Sequence, residues 1–211
     1  MQRVLPLLPA VLMLGVVLAW TADDGGYSPL AWYPGLLLCL GLVITTLLGL
    51  RPRWTEISRV QRLAFTALAG YVAWSFLSIT WAAVPGDALQ GSNRALLYLA
   101  VFGLFIVLPW TDKTGAAFFL IWTLGIAIIA GVTVVGLALA PHPAHYLLDG
   151  RLASPISYPN ADAELFGTAA LLSGLYASRP TLSAGSRGLL VGCTAILLPS
   201  AVLTQSRGWF F

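Results

Sequence analysis

Residues 115–140 read GAAFFLIWTLGIAIIAGVTVVGLALA, a run from Gly115 to Ala140 without one charged side chain. A helix needs roughly 20 predominantly apolar residues to cross about 30 Å of hydrocarbon, and this run meets that length. Within hydrocarbon every backbone N–H and C=O must find a partner inside the protein, which leaves only helices and closed barrels. Barrel strands alternate apolar and polar residues, and this run does not. Its surplus length predicts a tilted helix.

The rest of the chain repeats the pattern. Of its 211 residues 58% are hydrophobic and 9% charged, against about 25% charged in a soluble domain. Comparable runs predict spans at about 4–22, 30–50, 63–83, 95–110, 161–178 and 188–204. With 115–140 they make an all-α polytopic membrane helix bundle of about seven transmembrane helices, read as a single membrane domain over residues 1–211. The first run exceeds the usual core of a secretory signal, and Trp20 disfavours cleavage after Ala22, so it reads as a retained span.

Several function classes fall away on composition. The net charge of +3 is carried by basic residues scattered over short loops, with no basic stripe of the kind that grips nucleic acid. Cys39 and Cys193 lie inside predicted spans, so no disulfide framework or metal motif is expected. No Gly-rich phosphate loop, nucleophile elbow or zinc-binding helix motif occurs, and no cofactor is expected.

Polar side chains gather in the connection from Pro141 to Pro159, which holds His142, His145, Asp149 and Arg151. Pro141, Pro143, Pro155 and Pro159 oppose regular helix through it. His142 and His145 are candidate general bases because imidazole titrates near neutrality. Pro143 between them disfavours the helical turn that would aim both at one metal ion. Asn160 stands where the following helix wants an N-cap. Asp162 and Glu164 fall in the first turn, where the helix dipole favours acids, and a spacing of two points them to different sides.

Charge distribution gives an orientation. With the N-terminus cytoplasmic, Arg3, Arg51, Arg53, Arg59, Arg62, Lys113, Arg179 and Arg187 fall inside and only Arg94, Arg151 and Arg207 outside, as the positive-inside rule asks. Those three outward arginines are the exceptions. Each alone could snorkel or pair with Asp87, Asp149, Asp162 or Glu164. Taken together, they offer planar forks of donors suited to phosphate, and a shared external cavity would suit a polyanionic lipid headgroup.

Arg151, then Ser154-Pro-Ile-Ser-Tyr-Pro-Asn160, a small-residue helix, a basic turn, another span and Leu203-Thr-Gln-Ser-Arg-Gly208 resemble the O-antigen ligase and O-antigen polymerase family of bacterial envelope glycosyltransferases. The stretch from Trp81 to Asp87 ahead of Arg94 is similar to that family's first external loop. The resemblance covers the N-terminal half of such an enzyme, whose second half carries a large external loop with a histidine thought to be catalytic. It implies transfer of a glycan from an undecaprenyl diphosphate carrier to an acceptor glycan or glycolipid at the outer face of the bacterial cytoplasmic membrane, without metal or nucleotide sugar. By resemblance Arg151 and Arg207 would bind the carrier's diphosphate, with Arg94 a third candidate from its outward charge, while Asn160 and Ser206 would order the site. Asp162 and Glu164 depart from the small or apolar residues expected after that asparagine. Two readings from other classes stand beside it: a non-catalytic membrane partner, and a polysaccharide or lipid transporter subunit using the same arginines.

Overall fold

The structure is a computed structural model that describes residues 5–50 and 57–210. Arg3, Arg51, Arg53 and Phe211, together with the first residue of the opening span, lie outside the described residues. The chain is helical almost throughout: α1 Leu8–Ala22, α2 Pro29–Leu50, α3 Arg59–Ser78, α4 Pro85–Val107, α5 Asp112–Leu139, α6 Pro159–Ala177, α7 Ala184–Leu203 and a last turn, α8, Arg207–Phe210. Between α5 and α6 two short strands, β1 Leu147–Leu148 and β2 Arg151–Leu152, pair antiparallel.

This is a polytopic helix bundle. Six helical segments are long and apolar enough to cross a membrane: those of α1 to α5 and α7. The remaining long helix, α6, spans 19 residues but is not among them. Asn160, Asp162 and Glu164 at its start lower its hydropathy. The helix faces protein: α6 buries Asp162, Phe166, Gly167, Ala170 and Ser173 among others, whereas α3 buries only Val72.

Several boundaries differ from the sequence reading. The stretch from Pro85 to Arg94, expected as an external loop, is the start of α4, with Pro85 in its first turn and Asp87 near the positive end of the helix dipole. Arg94 therefore sits on a helix. α3 stops at Ser78, and a 3-10 turn over Ile79–Trp81 replaces the last turn of the predicted span. α5 starts at Asp112 because Thr111 and Thr114 form a reciprocal capping box. α7 starts at Ala184 behind an N-cap by Ser183, so part of the expected basic loop is helical.

The chain divides into two compact units, Met1–Leu14 with Leu30–Trp110, and Gly15–Pro29 with Thr111–Phe211. In the first, α3 lies against α4, where Gly103 leaves room for the Phe65 ring. Trp32 and Tyr33 of α2 stack at 3.8 Å between centroids and meet the polar start of α4. Asn93 Nδ2 donates to Tyr33 Oη at 3.1 Å, and the Arg94 guanidinium lies 5.4 Å from the Trp32 ring centroid. These contacts explain how a sequence as polar as Gln90-Gly-Ser-Asn-Arg94 is held in a helix.

In the second unit α6 runs antiparallel to α7, and both pack on α5 around Phe166, Leu197 and Ile126. Ser173 Oγ and Thr194 Oγ1 are 2.8 Å apart across the α6–α7 contact. Hydroxyl pairs between membrane helices of this kind contribute about 0.6 kcal/mol on average. At the far end Arg187 Nε donates to Ala177 O at 2.9 Å, supplying a carbonyl that the end of α6 leaves without a helical donor.

Candidate functional site

The polar connection of the second unit is an ordered structure built on one turn. Asp149 (φ 51°) and Gly150 (φ 77°) both take left-handed backbone between β1 and β2, the geometry of a two-residue hairpin turn, for which Asp-Gly is a favoured pair. The register sets Leu148 opposite Arg151 and Leu147 opposite Leu152, and Ala153 N donates to Tyr146 O at 2.9 Å beyond the strands. Leu152 is buried in the core of α5 to α7, which anchors the strand that carries Arg151. Tyr146 lies on α5 at Gly136, where a Cβ would collide with the phenol.

From this hairpin Arg151 reaches the end of α7. Thr204 caps α7, and Gln205 turns the chain out of the helix with φ 50°. The Thr204 carbonyl is thereby left without a helical donor, and Arg151 Nε donates to it at 2.9 Å. Arg151 Nη2 donates to Asn160 Oδ1 at 3.0 Å, and Ser206 Oγ donates to the same oxygen at 3.0 Å. Asn160 Nδ2 in turn donates to Tyr158 Oη at 3.1 Å. Residues from the hairpin, the start of α6 and the turn after α7 thus share one hydrogen-bond network.

The expected N-cap role of Asn160 is corrected by this arrangement. Tyr158 is the N-cap residue of α6 and Pro159 occupies the first helical position, where its fixed φ suits the helix and its missing N–H is no loss. The helix starts early. Asn160 is then inside the first turn, and its amide faces Arg151 and Ser206 instead of the backbone.

Asp162 and Glu164 separate as their spacing requires. Glu164 is exposed and accepts from Thr168 Oγ1 at 3.3 Å. Asp162 is fully buried, and its Oδ1 accepts from Ile156 N at 3.2 Å while Oδ2 has no partner among the described residues. Asp162 therefore fastens the turn ahead of its own helix, the segment that carries Tyr158 and Asn160. Sequence reading assigned it to the helix dipole and missed this tie.

The remaining candidates are placed as follows. Arg207 is exposed at the start of α8, next to Ser206, with no hydrogen-bond or ion-pair partner among the described residues. Arg94 belongs to the first unit, over Trp32. His142 and His145 are both exposed; His145 Nδ1 lies 2.9 Å from His142 O, and its ring centroid is 4.1 Å from that of Tyr146. Among the described residues no group of three His, Cys, Asp or Glu side chains gathers as metal ligands would.

Chemically, the network commits two of the five N–H donors of Arg151 and leaves the Nη1 pair uncommitted within it. Both lone-pair directions of Asn160 Oδ1 are used, so the amide orients the guanidinium without cancelling its charge. Fold and site together define a polytopic α-helical membrane protein with an ordered arginine on the loop ahead of α6. Comparison of the chain with protein-family models, curated proteins and solved structures gave no match.

Proposed function

We propose that the chain binds the diphosphate of an undecaprenyl diphosphate-linked glycan and serves glycan transfer of the O-antigen ligase and polymerase type at the outer face of the bacterial cytoplasmic membrane. The observation that carries this reading is the joining of Arg151, Asn160 and Ser206, three residues singled out by resemblance, through a single oxygen atom. The neutral Asn160 amide orients the Arg151 guanidinium and leaves its positive charge available to a ligand. A phosphate-binding arginine gains from it, because preorganised donors need no rearrangement when charge develops.

In the transfer itself an acceptor hydroxyl oxygen attacks the anomeric carbon as the bond from that carbon to the diphosphate oxygen breaks. The hydroxyl proton passes to a base, and the diphosphate leaves with the electron pair of the broken bond. Arg151, through Nη1, and the exposed Arg207 stabilise the charge gathering on that leaving group. The lipid tail stays in the bilayer while the glycan projects outward. Asn160 and Ser206 hold the site in order and do not touch the reacting atoms.

The test is binding of undecaprenyl diphosphate to the full chain in lipid nanodiscs, read by native mass spectrometry. Arg207→Ala, which breaks no hydrogen bond or ion pair among the described residues, weakens binding about tenfold or more, and Arg151→Ala at least as much. Unchanged affinity in Arg207→Ala would end the diphosphate reading. Retained binding with no transfer of a lipid-linked glycan favours a non-catalytic membrane partner instead.

A further inference from the structure

An apolar groove lies in the first unit, away from the residues above in sequence and independent of the proposed transfer. α2, α3 and α4 border a groove of about 500 Å3, walled by Leu40, Val43, Phe65, Leu96, Leu99 and Ile106. Its one charged lining residue among those described is Arg62, beside Ile57 and Thr66. The interior is thus hydrocarbon-like with a guanidinium at the end where α3 begins.

That guanidinium stands against the local field. Arg59 and Arg62 occupy the first turn of α3, which contains no acid, and are neighbours on the helix surface at a spacing of three. The N-terminal end of a helix is its positive end, so cations there are disfavoured unless an anion joins them. Both side chains are exposed. Ser58 and Gln61 already complete the backbone hydrogen bonding as a capping box, so the arginines are not needed to cap the helix.

We infer that this groove seats an acyl chain of an anionic membrane phospholipid, with the phosphate held by Arg62 and Arg59. The match is of two chemistries at one place: an apolar trough for the chain, and two cations on a positive helix end for the headgroup. A zwitterionic lipid brings its own cation to the same position and gains less. A partner helix laid in the groove would cover Arg62 with apolar surface, which is costly for an arginine in a bilayer. An anionic lipid meets both requirements without that cost.

The experiment uses the full chain purified in mild detergent, incubated with phosphatidylglycerol or phosphatidylcholine and read by native mass spectrometry, with circular dichroism confirming helix in every variant. Wild type retains one phosphatidylglycerol with a preference of about tenfold over phosphatidylcholine. Arg62→Gln loses that preference. Thr66→Phe, which keeps both arginines but puts a ring into the groove, loses it too, while Thr66→Ala keeps it. Lys113→Gln, a cation in the other unit, also keeps it. Equal retention of the two lipids by wild type, or an unchanged preference in Arg62→Gln, overturns the site. A preference lost in Arg62→Gln but kept in folded Thr66→Phe overturns the seated chain and leaves headgroup adsorption alone.

Discussion

Arg151 and Ser206 converge on the same atom: Asn160 Oδ1 lies 3.0 Å from Arg151 Nη2 and 3.0 Å from Ser206 Oγ. One donor comes from a hairpin strand and the other from the turn after α7, so the first turn of α6 ties two loops. Ser206 is itself buried, its N–H donating to Thr204 Oγ1 at 3.3 Å. The geometry makes Asn160 a neutral joint between the two loops.

Replacing Asn160 separates its structural part from its effect on charge. Asn160→Ala leaves two donors without their acceptor and lowers stability by about 1–3 kcal/mol. Asn160→Asp keeps the acceptor and forms an ion pair with Arg151, so stability is retained while affinity for undecaprenyl diphosphate falls as the carboxylate repels it. Thermal unfolding alongside lipid binding measures both, and an Asp variant with full affinity contradicts the role given to Arg151.

The aim of Arg151 depends on the turn before it. A Cβ at Gly150 meets nothing within 4 Å, so only its φ of 77° resists a side chain. Gly150→Ala therefore costs about 1–2 kcal/mol of backbone strain, and Gly150→Asn, with a residue that tolerates left-handed backbone, costs less. If the two variants melt at the same temperature, the hairpin turn is not under this constraint.

Asp162 is expected to hold the turn over residues 154–158 through its bond from Ile156 N. Asp162→Ala removes the acceptor and speeds hydrogen exchange at the Ile156 amide, at a cost of about 1–3 kcal/mol. Asp162→Asn retains an acceptor oxygen and restores protection. Exchange at Ile156 that is equally slow in all three proteins would mean the amide is held by something else.

Close contact between Tyr146, at the end of a 3-10 turn over Pro143–Tyr146, and α5 makes a fourth case. Gly136→Ala drives a methyl group into the Tyr146 phenol, an overpacking that costs about 1–3 kcal/mol. Tyr146→Leu removes that ring, so the double variant should lose less than the sum of the two single variants. Simple additivity in the thermal unfolding of the three proteins would show that the two residues do not press on one another.

How far the molecule could be read from its residues depends on which quantity the residues encode locally. Crossing hydrocarbon is a requirement on length and polarity alone, so the runs at 4–22, 30–50, 115–140 and 188–204 were readable directly and correspond to α1, α2, α5 and α7. The pair Asp149-Gly150 between Leu148 and Arg151 was a readable hairpin signal, hidden in a stretch whose prolines pointed to irregular chain. Other features were not local. Gln90-Gly-Ser-Asn-Arg94 has the composition of a loop and is helix because Tyr33 and Trp32 on α2 receive its polar side chains.

The sequence by itself determined the solvent of this protein, its all-helical class and the residues able to carry charge at the edge of a bilayer, because each follows from composition along one segment. Tertiary structure alone decided which of those residues meet. Asn160 could cap its helix or bind a side chain, and both choices satisfy the local chain. Only the approach of the hairpin and the end of α7 brings Arg151 and Ser206 to its oxygen, and a buried polar atom takes the partner that the surrounding fold presents.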